Sequence, residues 1–181
     1  MRRVQLHDGD LRLRPFFPEE LETLVAARDV GTVGMRRSEE DARRALREKI
    51  DRSGRLVDGR LDLAIELDGR LVGSVDARQS RNAMPPGVFE IGIAIFVASD
   101  RGHGVGSRAV ALLTGHLFED GSTHRVQAST SIENDAMRHV LEKLGYSFEG
   151  VMRGFMPAPD GGRDDYALYG VTRADWLGRS G

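Results

Sequence analysis

Arg101-Gly102-His103-Gly104-Val105-Gly106 is a glycine-rich turn set between two apolar segments of different period. Upstream, Val88-Phe89-Glu90-Ile91-Gly92-Ile93-Ala94-Ile95-Phe96-Val97 is rich in β-branched and aromatic residues, as a buried strand is. Downstream, Ala109, Leu112, Leu113, His116 and Leu117 recur at helical spacing. A turn that leads from strand into helix leaves backbone N–H groups unpaired at the positive end of the helix dipole. That arrangement binds phosphate. Glycine has no Cβ, so the main chain can approach the ligand closely. The segment therefore predicts a site for a phosphate-bearing cofactor.

Several readings of the turn compete. A Walker A loop needs Gly-Lys-Ser/Thr, which does not follow. A dinucleotide fingerprint can be written as Gly104-x-Gly106-x-x-Ala109, but its ribose-binding acid belongs about 20 residues on, at the end of a second strand. Glu119 and Asp120 come too early for that role. A plain glycine turn is the structural alternative. The remaining pattern, Arg/Gln-x-x-Gly-x-Gly/Ala, is met by Arg101, Gly104 and Gly106.

A second segment bears on the choice. Asn134-Asp135-Ala136-Met137-Arg138-His139-Val140-Leu141-Glu142-Lys143-Leu144-Gly145-Tyr146 reads as one helix with Asn134 as N-cap and Gly145 as left-handed stop. It follows a short strand, Arg125-Val126-Gln127-Ala128-Ser129-Thr130. The two motifs together resemble the GNAT superfamily of acyl-CoA-dependent N-acyltransferases. Near the end of the chain, Glu149-Gly150-Val151-Met152-Arg153-Gly154 and Gly161-Gly162-Arg163-Asp164-Asp165-Tyr166-Ala167-Leu168-Tyr169 resemble the terminal hairpin of its RimJ/RimL-type members. Leu11-Arg12-Leu13-Arg14-Pro15, followed by an acidic amphipathic helix, is similar to their opening. The resemblance runs from about residue 10 to residue 176.

Composition sets the outer limits. The chain has 181 residues, 40% hydrophobic and 30% charged, which suits one domain spanning 1–181. A net charge of -2 gives no bulk argument for nucleic acid. No apolar run approaches bilayer length, and no apolar stretch follows Met1-Arg2-Arg3, so neither a membrane nor a secretory signal is expected. The cytoplasm is the expected location. With no cysteine, thiol nucleophiles, disulfides and cysteine-ligated metals are excluded. His103, His116, His124 and His139 lack metal-binding spacing, and no metal site is expected.

The element order follows from local pattern. Leu11-Arg12-Leu13-Arg14 alternates as a strand and ends at Pro15, and Pro18-Glu19-Glu20 opens a helix. Ser38 with Asp41 resembles a capping box at the head of a charged helix. Its Arg36, Arg37, Arg43, Arg44 and Arg47 alternate with Glu39, Glu40, Asp41 and Glu48, which favours an ion-paired solvated face over a basic patch. In GNAT folds this region commonly lines the acceptor site, so a lesser role in substrate contact stays open. Leu61, Leu63, Ile65 and Leu67 lead to Asp68-Gly69, a hairpin signal, and Leu71-Val72-Gly73-Ser74-Val75 returns. The order strand, two helices, three strands, helix, strand, helix, two strands predicts a mixed α/β (α+β) fold. The resemblance gives it the GNAT form: a mostly antiparallel central sheet of about seven strands flanked by about four helices.

The resemblance also implies a division of labour. Residues 93–97 would splay from the strand at 125–130, and pantetheine would lie in the gap, held by backbone groups of Phe96 and Val97. Arg101, Gly102, His103, Gly104, Val105, Gly106 and Ser107 would hold the pyrophosphate of acetyl-CoA, and Asn134 would bond the pantetheine arm. Glu90 matches the base of some family members. Among Phe89, Ile91 and Ile93, burial would strengthen its hold on a proton. Its alternative is a structural carboxylate at a strand end. Asp165 would touch the acceptor amine or anchor the hairpin. Leu141 stands where many members carry a tyrosine acid, and Met137 where RimJ/RimL relatives often carry serine; neither can protonate a thiolate. Tyr146, Ser129, Ser131 and Tyr166 are the remaining hydroxyls. The reaction implied is acetyl transfer from acetyl-CoA to a primary amine, on a small molecule or a protein N-terminus. A non-catalytic acyl-CoA-binding module is the alternative, and a nucleotide-binding protein using the same loop is a third reading. A homodimer through the terminal hairpin is consistent with the family.

Overall fold

The computed structural model describes residues 3–27, 38–79, 84–119, 121–158 and 160–180. Its strands are β1 (Leu6–Asp8), β2 (Leu11–Arg14), β3 (Arg60–Leu67), β4 (Arg70–Arg78), β5 (Val88–Ile95), β6 (Arg125–Ser131), β7 (Ser147–Pro157) and β8 (Arg163–Thr172). Its α-helices are α1 (Leu21–Ala27), α2 (Glu39–Arg52), α3 (Val105–Glu119), α4 (Asp135–Lys143) and α5 (Arg173–Leu177). The strands form one sheet of eight in the order β1-β2-β3-β4-β5-β6-β8-β7. Every pairing is antiparallel except β5 with β6.

The strand beyond the predicted seven is β1. It joins β2 through an Asp8-Gly9-Asp10 turn, and Gly9 has a φ of 58°. Arg108 of α3 holds this hairpin in place: Nε bonds Asp8 Oδ2 at 2.7 Å and Nη2 bonds Asp10 Oδ1 at 2.6 Å. The helix beyond the predicted four is α5, whose cap is reciprocal between Thr172 and Asp175.

Strand alternation sorts the side chains onto opposite faces. Leu63 and Ile65, with Val75, Phe89, Ile91 and Val126, enter the main core. There they meet Val105, Ala109, Val110, Leu113 and Leu117 of α3 and Leu141 of α4. Each large apolar side chain buried in this way contributes about 1.5–3 kcal/mol, so packing along its length fixes α3 while its first turn carries unpaired N–H groups. The opposite face is covered by α1 and α2, where Phe16, Leu24, Ile50 and Ala64 form a smaller cluster with Phe96 at its margin. Ser38 caps α2 by accepting from Asp41 N at 3.1 Å. Arg43 pairs with Glu22 and Arg44 with Asp41, the ion-paired face foreseen for this helix, while Arg36 and Arg37 lie outside the described residues.

Candidate active site

The sheet opens at its centre. β5 and β6 share only the rungs Val88↔Arg125, Phe89↔Val126 and Glu90↔Gln127. Past Gln127, β6 follows β8 as far as Ser131↔Tyr166, and past Glu90, β5 follows β4 as far as Gly73↔Ile95. A wedge therefore opens between the two strands, and one backbone edge of each is left without a strand partner. This is the splay that the resemblance implies.

The glycine turn closes the end of β5. Gly102 and Gly104 have φ values of 79° and 80°, in the left-handed region where a Cβ is strained. Residues 101–104 are exposed, and α3 starts at Val105. Among the described residues, the N–H groups of Gly102, His103, Gly104, Val105, Gly106 and Ser107 have no hydrogen-bond partner outside the helix itself. The first helical turn leaves its N–H groups free in any case. Such a set of donors fits a pyrophosphate. Ser107 Oγ donates to Gly104 O at 3.0 Å, and Asp100 is tied to Arg70 by contacts of 2.9 and 3.1 Å. The hydrogen bonds from Arg70 hold the Asp100 carboxyl below its ordinary value.

Some of the predicted contacts are used inside the fold. Arg101 N donates to Ala98 O at 3.1 Å, and its guanidinium turns back to Ile95 O at 3.2 Å. Phe96 N donates to Val72 O at 3.0 Å, and its side chain packs beside the α1–α2 cluster. Val97, 49% exposed, is the residue of this pair whose N–H has no partner among the described residues. Asn134 caps α4, its Oδ1 accepting from Met137 N at 3.1 Å. Asp165 Oδ1 accepts from Gly154 N at 2.7 Å, at the irregularity in the β7–β8 ladder, so it anchors the hairpin.

Glu90 sits at the apex of the wedge. Alternation turns it away from Phe89 and Ile91, onto the face that α1 and α2 cover. Its side chain is 23% exposed, with Arg78 Nη2 3.4 Å from Oε1 and Gln127 Nε2 3.3 Å from Oε2. Its surroundings are thus polar as well as apolar. Asp76 and Arg78 stand beside it on β4, in register with Gly92 and Glu90. Sequence reading missed both; their signal is the polar half of an alternating strand. Tyr146 leaves the set of donor hydroxyls, since it is 3% exposed, bonded to Thr114 at 2.6 Å and pushed by burial above its ordinary value. Leu141 is fully buried in the main core.

An open sheet with a parallel splay, a glycine turn at the end of the splayed strand and a carboxylate at its apex is the arrangement expected of an acetyltransferase. Residues 10–147 match the acetyltransferase (GNAT) domain, and the chain belongs to that family. No curated protein sequence matches it. Solved structures share the fold. A GNAT-family acetyltransferase from Bacillus anthracis is 20% identical with a TM-score of 0.75, over 94% of this chain and 99% of that one. RimJ from Mycobacterium smegmatis, in complex with CoA-disulfide, is 22% identical with a TM-score of 0.71, over 98% and 93%. RimL, a ribosomal-protein alpha-N-acetyltransferase in complex with coenzyme A, is 18% identical with a TM-score of 0.75, over 93% and 98%.

Proposed function

We propose that this acetyltransferase moves an acetyl group from acetyl-CoA to a primary amine by direct attack in a ternary complex, with residues 1–181 acting as one domain. The wedge that opens past Glu90↔Gln127 carries the reading, because it supplies unpaired strand edges beside a turn of unpaired N–H groups. The RimJ and RimL structures hold CoA-disulfide and coenzyme A, which supports the same donor here.

In this reading the donors at 102–107 hold the pyrophosphate, and Val97 and the free edge of β5 hold the pantetheine arm. Glu90 receives the proton that the acceptor's ammonium must lose before its nitrogen can attack. Backbone N–H groups along the wedge polarise the thioester carbonyl as charge develops on its oxygen. Leu141 and Met137 supply no acid. The departing thiolate has a conjugate pKa of about 8.5, low enough to leave without one. The exposed Phe148, Val151 and Phe155 along the edge strand β7 support a homodimer through the terminal hairpin.

Calorimetry with acetyl-CoA, CoA and NAD, followed by thiol release over polyamines, aromatic monoamines, amino acids and N-terminal peptides, tests the proposal. Tight acetyl-CoA binding with amine-dependent thiol release supports it. Binding without release by any amine would leave the non-catalytic acyl-CoA module, which Leu141 and Met137 motivate because neither can supply an acid.

A further inference from the structure

Asp76 lies on β4 in register with Gly92 of β5, on the same face as Glu90. A Cβ built on Gly92 would come within 2.9 Å of Asp76 Oδ1, so the carboxyl lies directly over that glycine. Arg78 joins the two acids: its Nε is 3.1 Å from Asp76 Oδ2 and its Nη2 is 3.4 Å from Glu90 Oε1. The Nε contact is an ion pair without hydrogen-bond geometry, and Asp76 Oδ2 is a buried oxygen with no hydrogen-bond donor. Glu90, by contrast, already accepts from Arg78 and Gln127. Of the two carboxylates beside the wedge, Asp76 is therefore the one with an unpartnered oxygen, Oδ2, which is itself closed to solvent while the side chain as a whole is 20% exposed.

We propose that Asp76 is a second catalytic carboxylate of the acceptor site, acting with Glu90 to hold the substrate ammonium and take its proton. This rests on the acetyl-transfer reading and adds a residue to it. The ammonium passes a proton to the Asp76–Glu90 pair, and its freed lone pair forms the N–C bond to the thioester carbonyl carbon. The C–S bond breaks with its electron pair going to sulfur. The nitrogen's surplus proton goes to the thiolate, and the carboxylate pair returns its proton to solvent.

Burial pushes the Asp76 carboxyl above its ordinary range, against the pull of Arg78, Arg60 and Lys49 and together with the repulsion of Asp62. The groups around it are Asp62 and Arg60 of β3, Arg78 of β4 and Lys49 of α2, with Glu90 of β5 on the far side of Arg78 and Arg52 of α2 on Asp62. From β6 come the uncharged Gln127 and Arg125, and Arg125 is already paired with Glu149 of β7.

The test compares the parent with Asp76→Asn, Glu90→Gln and the double variant. The acceptor is whichever of spermidine, phenylethylamine and an N-terminal tetrapeptide gives the fastest thiol release. Asp76→Asn should lower kcat about 10- to 100-fold, remove an ionisation from the acidic limb of kcat/KM and leave acetyl-CoA affinity unchanged. An unchanged profile, with or without a change in melting temperature, assigns Asp76 a structural role and overturns the proposal while leaving Glu90 in place. A parent that releases no thiol with any amine overturns the acetyl-transfer reading itself, and this inference with it. A second measurement does not depend on turnover. The Asp76 carboxyl ¹³C signal, assigned by its loss in Asp76→Asn, should move when that acceptor amine is added to the CoA complex. A signal that ignores the amine also overturns the proposal.

Discussion

Gln127 Nε2 lies 3.3 Å from Glu90 Oε2 across the last rung that joins β5 to β6. The pair marks the point where the sheet stops being continuous, so a carboxylate is fixed at the mouth of the wedge by a ladder on one side and by side-chain donors on the other. Glu90→Gln keeps the shape and removes the proton acceptor. It should reduce kcat about 100-fold and leave acetyl-CoA affinity within a factor of about two, as steady-state thiol release and calorimetry would show. Parental kcat with a parental pH profile removes Glu90 from the mechanism.

Gly104 has a φ of 80°, and a Cβ there would meet nothing nearer than Ser107 Oγ at 4.0 Å. Substitution to alanine is therefore strained by conformation alone, at about 1–2 kcal/mol. Relief of that strain turns N–H groups away from the phosphates, and the dissociation constant for CoA should rise about tenfold. Gly69→Ala is the control, since Gly69 has a φ of 76° with open space around it at the tip of the β3–β4 hairpin. Equal CoA affinity in the Gly104 and Gly69 variants would show that the turn does not carry the phosphate.

Features set by local chemistry were legible in the sequence. Asp68-Gly69 fixed the β3–β4 turn, with both residues at positive φ, and Asn134 and Gly145 fixed the ends of α4. What escaped depends on contacts between distant residues. The Asp8-Gly9 turn carries a similar signal, but β1 is three residues long and leans on Arg108, a hundred positions away. Alternation along β4 places Asp76 and Arg78 on one face, yet only the register with β5 puts Asp76 and Glu90 on the same arginine. The loss of the Phe96 and Arg101 N–H groups to Val72 and Ala98 likewise depends on a particular turn geometry that composition does not encode.

Leu141 is fully buried, so a hydroxyl placed at this position would lie in the core. The tyrosine that the resemblance implies there should not act as an acid. Leu141→Tyr forces a larger ring and a hydroxyl into a filled core and should cost about 1–3 kcal/mol of stability, with no gain in turnover. Denaturant unfolding measures the first and thiol release the second. A variant with parental stability and faster turnover would place residue 141 beside the leaving sulfur.

Asp76 makes a prediction of the opposite sign from an ordinary ion-paired carboxylate. Because burial raises its pKa from 3.8 in the folded protein, the folded state binds the proton more tightly than the unfolded chain. Stability is therefore withdrawn as pH rises from the unfolded value through the raised folded one. At neutral pH the charged Asp76 works against the fold, so Asp76→Asn should melt at the same temperature as the parent or higher. That advantage should shrink as pH is lowered toward about 4, where both states of the parent carry the proton. Melting curves across this interval decide the matter. A large loss of stability at neutral pH would mean that pairing with Arg78, Arg60 and Lys49 outweighs burial, and that Asp76 is held in the sheet by those cations rather than kept there at a cost for the chemistry beside Glu90.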